Sequence, residues 1–243
     1  MSIKKLKEPI TISNITRDPY YEEEYLFKKD QLTLTDQVTV FVGPNGYGKT
    51  TLINMLKEAL ERDGAISFSN NAYARGLARA FKLTEADESA KDRANIGFIS
   101  YDSHADDHTN SISASLVNNN MRQLLLRRES SEGENNLISL ADLFDNAQAV
   151  ANENPELENL IIFVDGIDSG LSVDKINFII RNLDLKIKQV ESQNPDLNVA
   201  LVFTANHYEM TRNLPTIDPI TFEKINYNDY EEFRNDMIKK AKH

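Results

Sequence analysis

The chain has no cysteine among its 243 residues. That removes disulfide frameworks, thiolate zinc sites, Fe–S clusters and thiol nucleophiles together, and it fits a reducing compartment. Long hydrophobic runs are also missing. The longest apolar stretches, such as Leu160–Val164, are far too short to span a bilayer. The opening residues, MSIKKLKEPITISN, carry charge without the apolar centre of a secretory signal, so the expected location is cytoplasmic, with no insertion into a membrane. Positive charge is in deficit: 27 Lys and Arg against 38 Asp and Glu leave a net charge of −11. Such a chain is no general binder of polyanions, and any DNA contact needs a local basic patch. Arg122, Arg127 and Arg128, with the Lys-rich termini, are the candidates for that patch, although the same residues suit the solvated face of a helix. Repeats, Pro-rich linkers and low-complexity tracts are absent. With 40% hydrophobic residues, what remains is a globular protein able to bury a sizeable core.

What is present is an alternation of apolar strands and amphipathic helices. Short β-like runs occur between residues 10 and 42, ending in Val38–Val42. A Gly-rich turn follows, and then a helix in which Leu52, Ile53, Leu56 and Leu60 recur at helical spacing. A strand at Ile96–Ser100 precedes the polar loop 101–110. Val117, Met121, Leu124 and Leu125 mark one helix, and Leu137, Leu140, Ala141 and Phe144 the next. Leu160–Val164 and Val199–Thr204 are continuous, apolar and short, as buried strands are. Between them Ile176, Ile179, Ile180, Leu183, Ile187 and Val190 form the clearest amphipathic helix. The tail predicts a strand near Ile220–Ile225 and a helix from about Asp229. The pattern is that of an α/β protein with a mostly parallel sheet flanked by helices. It reads as one domain over 1–243, with a helical subdomain at approximately 70–155.

The segment GPNGYGKT, Gly43–Thr50, satisfies G-x-x-x-x-G-K-[ST] at every fixed position, between an apolar strand and an amphipathic helix. Phosphates carry several charges, so a loop that holds them must bring backbone N–H groups close without Cβ obstruction, and a helix N-terminus adds its positive end. The whole loop is therefore assigned to a nucleotide: Gly43, Pro44, Asn45, Gly46, Tyr47, Gly48, Lys49, Thr50 and Thr51. Lys49 can reach the β- and γ-phosphates, Thr50 can ligate Mg²⁺, and Thr51 is placed for the α-phosphate. Asp165 closes the run LIIFVD, and an acidic residue at a buried strand end can hold the water shell of Mg²⁺.

GPNGYGKTT after VTVFV resembles the Walker A segment of ABC-type ATPases, closest to the SMC-like and RecF-like branch that does not transport. The resemblance implies a P-loop NTPase fold with an N-terminal antiparallel β portion and a helical subdomain, and it implies ATP with Mg²⁺ as the cofactors. LIIFVDGIDSGLS then resembles a Walker B segment followed by a D-loop at Ser169–Ser172, which in the family touches the opposite protomer. One departure matters. The family places a glutamate after the Walker B aspartate to polarise the attacking water, and here that residue is Gly166. A positioned base contributes about 10²–10⁴-fold to such a step, so turnover is expected to be slow unless Asp168 or Asp174 substitutes.

Ser130–Glu134, SSEGE, is similar to the family signature, and on that alignment Ser131 and Gly133 would contact the γ-phosphate held by the other subunit. A polar helix cap followed by Glu accounts for the same letters. His207, after the strand Val199–Thr204, falls at the place of the switch histidine that senses the γ-phosphate. No Gln stands where the family has its Q-loop; Asp102 is there instead, as a candidate oxygen ligand to Mg²⁺. The same loop holds His104, Asp106, Asp107 and His108, a set that could bind a transition metal if helical but reads better as a polar loop. Tyr20, Tyr21 and Tyr25 lie where family members stack an aromatic ring on adenine.

The implied assembly is an ATP-dependent homodimer with nucleotide sandwiched between the P-loop of one protomer and the signature of the other. Only about 30 residues separate Asp102 from Ser130, too few for the long coiled coil of SMC-like proteins. Three functions fit: a soluble ATPase that drives or gates a separate effector protein in DNA processing or defence; the nucleotide-binding subunit of a transporter whose membrane chain is separate; or a dimerisation switch with little turnover.

Overall fold

The computed structural model describes residues 4–15, 27–68, 95–102, 132–168, 170–192 and 194–242. Two strands, β1 (Lys5–Ser13) and β2 (Gln31–Asp36), pair antiparallel as a small separate sheet, as the N-terminal β portion predicted. They are followed by β3 (Val38–Val42), α1 (Lys49–Arg62), β4 (Ile66–Phe68) and β5 (Ile96–Asp102). Then come α2 (Glu132–Glu153), β6 (Asn159–Asp165), α3 (Val173–Glu191) and β7 (Asn198–Ala205). The chain closes with α4 (Tyr208–Thr211), β8 (Thr216–Ile217), β9 (Lys224–Ile225) and α5 (Tyr230–Lys240).

The main sheet runs β4-β5-β6-β7-β3-β8-β9, and every neighbouring pair is parallel except β8 with β9. β3 and β7 are buried at every position, which is why their sequences are continuously apolar instead of alternating. Side chains still alternate between faces. Val38, Val40, Ile162, Val164, Leu201 and Phe203 face one side, where they share a core with Leu143 and Ala147 of α2 and Ile176, Leu183 and Ile187 of α3. Phe41, Phe98, Ile161, Phe163 and Val202 face the other, against Leu52, Ile53 and Leu56 of α1 and Ile12 and Leu34 of the small sheet. The sequence places α2 in the 70–155 subdomain, and its apolar stripe is built into the same core as α3.

From β3 the chain crosses by α1 to the far edge of the sheet and returns strand by strand until β7 lies beside β3. The loops after β3, β6 and β7 therefore emerge together at the carboxyl ends of adjacent parallel strands, the usual place for a ligand in an open α/β sheet. Among the described residues no helix is long and apolar enough to cross a membrane.

The tail differs in detail from the sequence expectation. Only Lys224–Ile225 of the predicted strand is extended. The residues before it form a turn in which the Asp218 carboxylate accepts from the N–H of Ile220 and Thr221, both at 2.9 Å. β8 has two residues, too few to show any periodicity, and it exists because it pairs with β3. The final helix begins as expected, with the Asp229 side chain accepting from Glu232 N at 2.8 Å.

Helix α5 is fastened to the Gly-rich loop. Lys240 Nζ lies 2.9 Å from Asp218 and 2.7 Å from Asp236, and 5.5 Å from the centre of the Tyr47 ring. Tyr47 donates its hydroxyl to Asp218 at 3.4 Å. Burial and then the Asp218 charge push the Tyr47 hydroxyl up to about 12. Burial alone would raise the Asp218 carboxyl, but Lys240 and the two turn N–H groups outweigh it and hold it below the ordinary carboxylate value. A carboxyl depressed by folding stabilises the fold above its unfolded pKa, and that contribution is lost as pH falls through the folded value. Lys240→Met is therefore expected to cost about 1–3 kcal/mol at neutral pH. The gap to wild type should shrink below about pH 4 in paired thermal melts.

Candidate nucleotide site

The site is assembled from three strand ends. β3 leads into the loop Gly43–Gly48, where Gly46 and Gly48 hold φ of +79° and +81°, a left-handed conformation that side chains resist. Gly48 caps α1, whose first helical bond runs from Leu52 N to Gly48 O at 2.8 Å. The first turn of α1 carries no acidic residue, and its N-cap makes no side-chain hydrogen bond. The positive end of the helix therefore faces the loop unneutralised by the chain, as an anion site requires. Thr50 and Thr51 are exposed on that first turn.

Lys49 is 8% exposed. Its ammonium donates to Gly43 O at 2.7 Å, Pro44 O at 2.9 Å and Asn206 Oδ1 at 2.8 Å. Burial pushes its pKa down, against the upward pull of Asp168 and then Asp165. The ammonium is thus centred over the loop by backbone carbonyls and one amide.

β6 ends on Asp165, separated from β3 by β7. Thr204 of β7 donates its hydroxyl to Asp165 Oδ1 and accepts from Gly166 N at 2.8 Å. Asp165 is 4% exposed, and its second oxygen, Oδ2, is buried without a hydrogen-bond partner among the described residues. A buried, unpartnered carboxylate oxygen is costly unless a cation completes it. β5 sets Asp102 in register with Asp165 on the adjacent strand, so the two acidic residues share one face and one level. Hard oxygen donors of this kind fit Mg²⁺. Among the described residues no cluster of three or more His, Asp or Glu forms a separate metal centre.

The residues after Asp165 follow a course the sequence does not show. Gly166 has φ +68°. Asp168 is fully buried, and its Oδ2 accepts from the N–H groups of Asn206 at 2.6 Å and His207 at 2.7 Å. His207 is exposed and caps the short α4. Asp174, the other candidate carboxylate for water activation, is exposed on the first turn of α3. Gly133, near the start of α2, is buried so close to Gly170 that a Cβ would meet the Gly170 carbonyl and the Leu171 side chain. Close packing alone therefore calls for glycine there.

Motif and placement mark Lys49, Asp165, Asp168 and His207 in the sequence, while Asn206 and Thr204 stand outside those motifs. Thr204 had a signal, as a polar residue inside an otherwise apolar strand; Asn206 had none. Tyr20, Tyr21, Tyr25, His104, Asp106, Asp107, His108, Ser131 and Ser169 lie outside the described residues. So do Arg122, Arg127, Arg128 and the helix expected from Val117.

A strand feeding a phosphate loop and helix, with an acidic strand end one strand away, defines an α/β P-loop NTPase. The model of the family described as ABC transporter matches residues 30–157, more than half of the chain, and the protein belongs to that family. Its class is thus an ABC-type ATPase domain, which binds ATP. The match takes in the phosphate loop and ends before Asp165. No curated protein matches the chain.

Proposed function

We propose that this chain is a compact ABC-type ATPase of the SMC-like kind, which binds MgATP between two copies of itself and uses that dimerisation to gate a separate effector protein. The observation that carries the reading is the convergence of the Lys49 ammonium, the unpartnered Asp165 oxygen and the Asn206–His207 turn on one phosphate loop. In this reading Gly43–Gly48 wraps the phosphates, Lys49 neutralises the β- and γ-phosphates, and Thr51 meets the α-phosphate. Thr50, Asp165 and Asp102 hold Mg²⁺, which when bound supplies charge neutralisation between the phosphates. His207 hydrogen-bonds the γ-phosphate, while Ser131 and Gly133 close on the nucleotide of the partner protomer. Bound ATP then contributes contacts to both subunits and drives association by mass action.

The test pairs steady-state ATPase measurements with light-scattering mass, each with and without ATP. ATP-dependent dimers with measurable phosphate release are expected. Monomers that bind no nucleotide would overturn the reading, and copurification with a membrane subunit would move the chain to the transporter alternative.

In this reading turnover is slow because Gly166 has no side chain to polarise water, and its positive φ resists one. A left-handed residue with a side chain costs about 1–2 kcal/mol. Relaxing it would also disturb the Gly166 N–H to Thr204 bond that helps hold Asp165. Gly166→Glu is therefore expected to lose about that much stability, read in thermal melts, with no gain in turnover. A tenfold or greater rise in phosphate release would show instead that a carboxylate here was the missing chemistry.

A further inference from the structure

We infer that Asp168 and Asn206 are positioning residues of the ATPase site, a buried carboxylate–amide relay that sets where the Lys49 ammonium and the His207 backbone stand. The inference rests on the nucleotide-site reading above and assigns Asp168 a role other than water activation. A general base needs a lone pair facing the attacking water. The Asp168 carboxylate is fully buried, and its Oδ2 already accepts from both Asn206 N and His207 N. Its Oδ1 faces Asn206 Nδ2 at 3.5 Å.

Chemistry leaves the Asn206 side chain one orientation. A carboxylate only accepts and an ammonium only donates. The amide therefore turns Nδ2 to Asp168 and Oδ1 to Lys49, where it accepts at 2.8 Å. An alanine at 206 would leave Lys49 only its two loop carbonyls. An asparagine at 168 would set its NH₂ against that of Asn206, or turn it towards the two backbone donors. Asp168 also supports the charged form of Lys49 against burial, ahead of Asp165. The relay joins the turn after β6 to the turn after β7 and to the phosphate loop, so one side chain fixes the relative height of three segments.

The test is a double-mutant cycle on Asp168→Asn and Asn206→Ala. It reads the Kd of a fluorescent ATP analogue together with kcat and KM, and thermal melts report folding. Each single variant is expected to weaken binding about tenfold, and the double variant to be no worse than about twofold beyond the weaker single, because both break the same relay. Additive losses would overturn the proposal. So would a fall in kcat of about 10²–10⁴-fold in Asp168→Asn at unchanged affinity, the mark of a lost base. Should Asp168→Asn fail to fold, Asn206→Asp decides. It keeps an acceptor for Lys49 but faces Asp168 with a second carboxylate, so it is expected to bind more weakly than Asn206→Ala. Wild-type affinity in Asn206→Asp would overturn the proposal. A wild-type protein that bound no nucleotide would instead refute the underlying site.

Discussion

Lys49→Ala is expected to lower ATP affinity by about 10²-fold or more and to remove detectable turnover. Hydrogen bonds to charged groups contribute about 1.5–3 kcal/mol each. The ammonium also sits at the centre of the loop, with three acceptors already holding it in place. Little conformational freedom is then left to lose when phosphate arrives, so most of its interaction energy appears as affinity. Titration of a fluorescent nucleotide alongside phosphate release would check this. The substitution also withdraws the cation that faces Asp165 and Asp168 in a buried setting, so the variant should melt below wild type in the absence of nucleotide.

The opposite pairing of effects is expected for Asp165→Asn. Its Oδ2 is buried without a partner among the described residues, a cost that a bound cation would relieve. A neutral amide in the same volume still accepts from Thr204 and removes a buried charge, at the loss of the pull between Asp165 and Lys49. Stability without Mg²⁺ should therefore rise, by about 1 kcal/mol, while turnover falls by about 10²-fold or more as the metal position is lost. Melts with and without MgATP make the contrast visible: wild type should gain from MgATP and the variant should gain little. If the variant melts below wild type in metal-free buffer, Asp165 is holding the structure and not a cation.

These two residues were legible in the sequence because their chemistry is local. A phosphate loop needs its glycines, lysine and threonine within eight consecutive residues, and the strand and helix around it announce themselves by periodicity. The acidic strand end is equally local: LIIFV is continuous, apolar and short, as a buried strand is, and Asp165 follows it. The helix Val173–Glu191 emerged with the predicted residues buried, because an amphipathic stripe depends only on spacing along the chain.

Asp168 shows where such reading stops. In the sequence it is one more carboxylate near a missing glutamate, and water activation is the natural assignment. In the structure β7 is inserted between β6 and β3, and that strand order carries the turn at Asn206 over Asp168, 38 positions away. Asn206 has no motif and no periodicity to mark it, yet it becomes the third acceptor of Lys49. Likewise Lys240 and Asp218 look like ordinary surface charges until α5 brings them against Tyr47.

The sequence alone determined the class of ligand, the phosphate-loop motif and the alternation of strands and helices. Each of these follows from residues that act on their immediate neighbours along the chain. The tertiary structure decided which carboxylate oxygen is buried without a partner among the described residues and which accepts from backbone N–H groups. It also decided that Gly166, the residue after the acidic strand end, is left-handed. Hydrogen bonds between strand ends depend on strand order and register, and these are set by burying both faces of the sheet at once.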